Sequence, residues 1–322
     1  MADTTRTEIP DEVNAFYDRT LLEKAVPAFV HNRFCQVRDI PANSGGNTIK
    51  FRRYGLLTAQ TTALSEGVTP SGKQLSVTDL TADVLYYGDY VTLTDVVLTE
   101  TYDPVLTETA DILGEQVGDS VDQLARDVMA ATTTKQYAST ATSTATVTSA
   151  MKINRTEVKE AVRTLKVNNA KPVSSMVNPS TGYNTVPLNR AYIGIVHPNT
   201  TFDLDDATGW IPVEKYPNKS DVMVDEVGSL AGVRFVETTN AKVRTGEGSG
   251  SIDVYSTLIF GMYAVAQSRI SGYALKNIVK PLGSAGTADP LNQRTTSGWK
   301  LSYVARILNV AFILDLQHAV SS

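Results

Sequence analysis

The stretch DPVLTETADILGEQVGDSVDQLARDVM, residues 103–129, predicts the longest helix of the chain. Asp103 is a favourable N-cap and Pro104 suits the first helical position. Apolar side chains then recur three or four residues apart, which is the spacing of one buried helical face: Leu106, Ala110, Leu113, Val117, Val121, Leu124 and Val128. At 1.5 Å per residue the helix would span about 40 Å, so we interpret it as a spine on which other layers pack.

The carboxylates of this helix lie mostly off the apolar stripe, and no histidine stands among them. They could be mistaken for a catalytic or metal-binding cluster, but they are spread along several turns. We therefore expect a solvated face, formed by Glu108, Asp111, Glu115, Asp119 and Asp122.

Before the helix, two stretches alternate apolar and polar residues as half-exposed strands do. One contains Ile49 and Phe51, the other Leu80 and Ala82, and residues 56–73 between them are rich in Thr, Ser, Gly and Pro. The pattern predicts a two-stranded projection with a polar tip. Because an isolated hairpin is marginal in water, it either moves freely or docks onto a neighbour. Docking is our hypothesis, with contacts to another subunit around Glu66 and Lys73.

The first 45 residues predict an arm with an amphipathic helical stretch that Pro27 ends. Its apolar side chains require a cover, which is either the chain's own body or a neighbouring subunit. We expect the face at Phe16, Leu21 and Leu22 to lie against another chain or the long helix.

After the long helix, residues 132–149 are hydroxyl-rich and predict a loop or a short hairpin. A second helix is predicted to start at Asn154, with Glu157 placed as in a capping box. Short strands are then expected at 192–196, 233–236 and 255–260, inside a separate α/β lobe. The strands of the last 50 residues are expected to return to the sheet beside the long helix, with a turn or bulge at 309–311.

Composition and motifs supply no catalytic chemistry. A net charge of −5 argues against a dedicated nucleic-acid binder, and the single cysteine, Cys35, excludes an intrachain disulfide framework. The glycines at 246, 248 and 250 lack the other residues of a phosphate-binding loop. No apolar run is long enough for a membrane helix, and the N-terminus lacks the pattern of a secretory signal. We predict no catalytic, cofactor or metal site; the three histidines are far apart in sequence: His31, His197 and His318.

Several long segments resemble the major capsid proteins of N-four-like tailed phages, which have the Hong Kong 97-type capsid fold. The segments are DEVNAFYDRTLLEKAVP (11–27), PANSGGNTIKFRRYG (41–55), LSEGVTPSGKQLSVTDL (64–80), YGDYVTLTD (87–95), DILGEQVGDSVDQLARDV (111–128) and IVKPLGSAGTADPLNQRTTSGWK (278–300). The similarity runs along the whole chain and does not depend on one motif.

The resemblance implies an α+β fold in five parts. These are an N-terminal arm (1–45), strands with an extended loop (46–99), a peripheral domain with the spine helix (100–171), an axial domain (172–271) and C-terminal strands returning to the peripheral domain (272–322). The extended loop would reach across a neighbouring subunit.

The resemblance also implies a function, which is self-assembly into the pentamers and hexamers of an icosahedral head around double-stranded DNA. Portal and scaffolding or decoration proteins are expected partners, DNA would be near without dedicated binding, and no membrane is involved. The virion capsid is the expected location, after assembly in the cytoplasm of a bacterial host. Two alternatives stay open: a tail-tube, encapsulin-like or other shell-forming protein, and a small soluble enzyme with a site near His197, Asp203 and Asp205.

Overall fold

The computed structural model describes residues 29–41, 46–55, 57–64, 66–100, 105–177, 185–216, 222–272, 275–284 and 289–321. Its helices are α1 (Asp95–Glu100), α2 (Val105–Ala130), α3 (Arg155–Val167) and α4 (Pro198–Asp205). Its strands are β1 (Gln36–Val37), β2 (Thr48–Tyr54), β3 (Val77–Asp83), β4 (Leu85–Thr94), β5 (Lys135–Tyr137), β6 (Val173–Val177), β7 (Thr185–Val196), β8 (Ile211–Pro212), β9 (Glu226–Leu230), β10 (Val233–Glu237), β11 (Val243–Arg244), β12 (Val254–Phe260), β13 (Val265–Ser268), β14 (Leu275–Lys280), β15 (Arg294–Ile307) and β16 (Ile313–His318).

The first two layers of the fold are the long helix α2 and the sheet that contains β15. Sheet A contains β1, β4, β13, β14 and β15, with β4 on one side of β15 and β14 and β13 on the other. The apolar stripe of α2 packs on one face of this sheet, through the side chains of Leu113, Val117, Val121, Trp299, Leu301, Tyr303 and Ala305. The predicted long helix is confirmed from residue 105 onward. The proposed cap at Asp103 and Pro104 lies outside the described residues.

The two-stranded projection is also confirmed. β2 and β3 pair antiparallel from Thr48 opposite Asp83 to Tyr54 opposite Val77. One face of this hairpin is apolar, with Phe51 buried and Leu80 half-buried, as the alternation of the sequence predicts. The other face carries charged side chains, including the exposed pair Arg52 and Asp79.

Sheet B is the second sheet and contains the strand order β5-β16-β12-β7-β10-β9-β8, with β11 on β12 and β6 on β7. The strands predicted at 192–196, 233–236 and 255–260 are confirmed as parts of β7, β10 and β12. Helix α3 packs on this sheet, since Val158, Ala161, Val162 and Leu165 share one core cluster with Tyr192, Leu230, Phe235, Leu314 and Leu316.

Helix α3 begins at its predicted cap, because the Asn154 side chain accepts hydrogen bonds from the backbone N–H groups of Thr156 and Glu157. The Glu157 carboxylate does not complete a capping box. It accepts instead from the backbone N–H of Ser139 at 2.9 Å, which ties the Thr-rich segment to the helix.

Replacing Asn154 with alanine is expected to lower the free energy of unfolding by about 1 kcal/mol, because two N–H groups lose their acceptor. Urea unfolding of the unassembled chain measures this. Lys159→Ala, at an exposed position of the same helix, should change the value by no more than about 0.5 kcal/mol. Equal losses in the two variants would contradict the capping role.

The C-terminal strands differ in part from the prediction that they return to the sheet beside the long helix. β15 does so, but β16 pairs antiparallel with β12 and parallel with β5, so it lies inside sheet B. The earlier strand with which β16 pairs is β12 and not a strand beside the long helix, and the polar residues of β16 are buried there. Asp315 accepts from Arg244 Nη2 at 3.1 Å and from Gln317 Nε2 at 2.7 Å.

The Thr-rich segment 132–149 forms no hairpin among the described residues. It supplies the short edge strand β5 and a single 3₁₀ turn, Thr144–Thr146. The predicted turn after β15 is confirmed as a 3₁₀ turn, Val310–Phe312, which the Asn309 side chain caps.

Candidate subunit-contact surfaces

The tip of the hairpin, residues 55–76, projects beyond the last pair of the ladder. At its base the Gly55 N–H donates to the Ser76 carbonyl oxygen at 2.9 Å. Further out, Lys73 Nζ donates to the backbone oxygen of Thr58 at 2.6 Å. These bonds tie the two sides of the tip together, while every described side chain from 57 to 76 is exposed.

The apex of the tip displays a carboxylate between two apolar side chains. Glu66 and Gly67 form a turn in which Gly67 has a φ of +74°, a left-handed conformation that favours glycine. Leu64 is 73% exposed and Val68 is 65% exposed on either side of it. Such exposed apolar groups are typical of a surface that another molecule covers.

Of the five predicted contact residues, two lie in the described tip. Glu66 is at the apex, whereas Lys73 is bonded across the tip to Thr58. Their contact with another subunit stays a prediction. Phe16, Leu21 and Leu22 lie outside the described residues.

A second candidate surface is the outer face of sheet A, meaning the face opposite α2. Trp299 and Asp89 point toward α2, since Gln116 donates to Asp89 Oδ2 at 2.7 Å and accepts from Trp299 Nε1 at 3.1 Å. Because side chains alternate along a strand, the even-numbered residues of β4, β14 and β15 point outward. They include Lys276, Lys280 and Lys300 but no acidic residue.

A cleft of about 360 Å³ lies on this face, lined by Tyr86, Tyr87, Gly88, Asp89, Tyr90, Ile278, Lys280, Thr296, Gly298, Trp299 and Lys300. Two glycines leave space in the cleft because they have no side chains. A Cβ on Gly298 would lie 2.5 Å from the Tyr90 Cβ, and one on Gly88 would lie 2.7 Å from the Trp299 carbonyl oxygen. The Lys300 ammonium lies over the Tyr86 ring at 5.1 Å, so the cleft is both aromatic and cationic.

The root of the arm is anchored on α2 by a buried carboxylate. Asp122 Oδ1 accepts from the backbone N–H groups of Val30 and His31 at 2.9 and 2.8 Å, and its Oδ2 lies 2.8 Å from His31 Nδ1. The expectation that Asp122 lies on a solvated face is wrong, because its side chain and that of His31 are both 0% exposed.

The same root joins the two sheets. Tyr303 of sheet A donates its hydroxyl to Asn32 Oδ1 at 2.5 Å. Arg33 donates to the Val224 carbonyl oxygen at 2.9 Å and pairs with Asp225 at 3.1 Å, just before strand β9 of sheet B. The sequence contained one signal of this burial: Gly114 and Gly118 stand eight and four residues before Asp122, on the same side of the helix, and both are buried.

The residues proposed for an enzyme site have structural partners. His197 Nδ1 accepts from the Asn199 N–H at the start of α4, and burial lowers its pKa. Asp203 accepts from the Ser321 N–H at 2.9 Å, while Asp205 is exposed. Burial lowers the pKa of His318 to about 4, and its Nε2 lies 2.9 Å from the Thr257 hydroxyl. In the described ranges no three His, Cys, Asp or Glu side chains are grouped to hold a metal ion.

No helix within the described residues has both the length and the apolar character needed to cross a bilayer.

Comparison with known proteins gives similarity in structure only. No family model matches the chain, and no curated protein is significantly similar in sequence. The capsid of Ralstonia phage GP4 superposes with a TM-score of 0.70 at 14% identity, covering 91% of this chain and 89% of that chain. The capsid of cyanophage Pam1 gives 0.65 at 12% identity over 93% and 92%.

A virus-like particle from Pyrococcus furiosus is similar as well, with a TM-score of 0.51 at 14% identity over 95% of this chain and 99% of that chain. The N-four-like subtype is not tested by these similarities and stays a prediction. This protein has a long helix under sheet A, a projecting hairpin and a second sheet, and it matches phage capsid chains over about nine tenths of their length. It therefore has the α+β Hong Kong 97-type capsid fold.

Proposed function

We propose that this chain is the major capsid protein of a tailed phage and assembles into an icosahedral head that encloses double-stranded DNA. The observation that carries the proposal is the fold, which matches phage capsid chains over about nine tenths of their length. In this proposal the role of the chain is structural, because its function is to form the shell.

The hairpin supports this role because the rest of its own chain does not cover the apolar side chains of its tip. Its tip exposes Leu57, Leu64, Val68 and Leu75. In a shell these groups would be covered by a neighbouring copy, which would turn an unfavourable apolar surface into a contact. The N-terminal arm (1–45) would add a second contact, through Phe16, Leu21 and Leu22.

Assembly of this kind uses head-to-tail contacts that close into rings. One chain would occupy rings of five and rings of six, so its contacts would have to tolerate small changes of angle. A two-stranded hairpin that projects from a rigid sheet suits that requirement. We propose portal and scaffolding or decoration proteins as further partners, with assembly in the bacterial cytoplasm.

An encapsulin-like shell is the second candidate, favoured by the similarity to the Pyrococcus furiosus particle over nearly the full length of both chains. The contents of the particles separate the two candidates: nuclease-protected DNA supports a phage head, and a protein cargo supports the alternative.

Sedimentation velocity of the purified chain tests the proposal against a small soluble enzyme. We expect rings of five or six copies, or larger particles, in exchange with free subunits. A single species no larger than a dimer, at all concentrations and also in the presence of its scaffolding protein, would contradict the proposal.

A further inference from the structure

Residues 318–321, at the end of β16, form a clasp that holds onto neighbouring parts of the chain. We propose that this clasp is an acid-operated device, in which uptake of one proton by the His318 ring releases residues 318–321 from the body of the chain. The inference goes beyond the proposed function. It concerns a single copy, so it does not depend on assembly.

The clasp is held by hydrogen bonds to two parts of the chain. The Ala319 N–H donates to the Met151 carbonyl oxygen at 2.9 Å. The Ser321 N–H donates to Asp203 Oδ2 of helix α4 at 2.9 Å, and the Ser321 hydroxyl donates to Oδ1 of the same carboxylate. Lys152 Nζ donates to Ser321 Oγ at 2.6 Å. Because these few bonds lie at the end of one strand, the clasp can open without the rest of sheet B.

His318 is the buried residue at the base of the clasp, and its hydrogen bonds require a neutral ring. The side chain is 0% exposed. Its Nδ1 lies 2.9 Å from the Ala319 carbonyl oxygen, which can only accept, so Nδ1 carries a hydrogen. Its Nε2 lies 2.9 Å from the Thr257 hydroxyl and accepts from it. A second proton on Nε2 would remove that acceptor.

The cost of a charged ring at this position gives the device its direction. Burial lowers the pKa of His318 to about 4, although the bond to the Ala319 oxygen and the charge of Asp203 act in the opposite direction. In the opened clasp the ring meets water, where a histidine has its ordinary pKa of about 6.5. The closed form is therefore favoured above about pH 6.5, and this advantage is lost as the pH falls to about 4.

The described surroundings of His318 offer no carboxylate bonded to a charged ring. Asp203 is the carboxylate whose charge acts on the ring, and both of its oxygens already accept from Ser321. Other titratable side chains stand on or beside the elements that pack against β16: Glu157, Asp315, Lys135, Lys152, Arg244, Tyr137, Tyr255 and His197. Of these carboxylates, Glu157 accepts from the Ser139 N–H and Asp315 accepts from Arg244. Opening the clasp therefore relieves a buried, unpaired charge.

Hydrogen exchange of the unassembled full chain, read by mass spectrometry and corrected for the intrinsic effect of pH, tests the device. Between pH 7 and pH 4 the opening constant of residues 319–321 should rise about 100-fold, as the two pKa values of His318 imply. The amides of Ile193 and Ile195, inside β7 of the same sheet, should stay unexchanged over the same time. No acid response in the clasp, or exchange of clasp and β7 at one rate, would overturn the inference.

Two substitutions identify the group that takes up the proton. His318→Gln cannot be charged but keeps an acceptor for the Thr257 hydroxyl, so its clasp should open equally at both pH values. His197→Gln is the matched control, because the His197 ring lies 5.2 Å from the Tyr255 ring and burial lowers its pKa as well. It should keep the rise of about 100-fold. An acid response that persists in His318→Gln, or disappears in His197→Gln, would overturn the inference.

Nuclear magnetic resonance of the histidine rings in the wild-type chain needs no substitution. We expect His318 to carry its hydrogen on Nδ1 at pH 7 and to titrate with a pKa of about 4. A His318 ring that titrates near pH 6.5, as an exposed histidine does, would overturn the device whether or not His318→Gln folds.

Discussion

Replacing Asp122 with alanine is expected to lower the free energy of unfolding by about 3–5 kcal/mol, the usual cost of removing one partner from a buried pair. Its carboxylate accepts from Val30 N–H and His31 N–H and bonds the His31 ring, with no exposure to water. Those groups would be left buried without an acceptor. Urea unfolding of the unassembled chain measures the loss.

Asp119→Ala is the matched control, because it removes a carboxylate from the same helix at an exposed position, where Asp119 Oδ1 accepts from Asn240 Nδ2 at 3.0 Å. Its expected effect is within about 0.5 kcal/mol. A loss for Asp122→Ala no larger than this would show that the arm root does not depend on the carboxylate. Limited proteolysis near residue 30 should also become faster in Asp122→Ala alone.

Removing the hairpin tip is expected to abolish closed shells while leaving the subunit folded. Residues 56–75 can be replaced by Asn-Gly, a two-residue turn that suits antiparallel strands. The ladder from Thr48–Asp83 to Tyr54–Val77 and the bond between Gly55 and Ser76 do not involve the removed residues. The exposed apolar surface of the tip, and its proposed contact with a second copy, would both be lost.

Electron microscopy counts the shells, and the midpoint of urea unfolding checks the fold. Leu64→Ser with Val68→Ser, in an otherwise intact tip, should give an intermediate loss because the apolar contact is removed and Glu66 is kept. Normal shells from the tip-deleted chain would contradict the role of the tip.

The sequence predicted those elements whose pattern is local. Helix α2 has a regular apolar stripe, the hairpin has two alternating stretches around a polar loop, and Asn154 stands where α3 begins. Each of these patterns reflects the period of one helix or strand, so it needs no knowledge of distant partners.

The sequence did not predict features that depend on pairing across long distances. Asp122 has the residue type of a solvated position, and only its bonds to Val30 and His31, about 90 positions away, show that it is buried. β16 lies in sheet B between β12 and β5, where Asp315 accepts from Arg244, and no period of the strand itself reveals these partners. The cleft on sheet A combines residues from β4, β14 and β15, so it exists only after the register of three strands is fixed.

Negative-stain electron microscopy of the chain, expressed alone and together with the scaffolding protein that we propose as its partner, tests the central claim most directly. The account predicts closed polyhedral shells, or rings of five and six copies, in at least one of the two samples. Uniform monomers or dimers in both samples would contradict the claim that this chain builds a capsid.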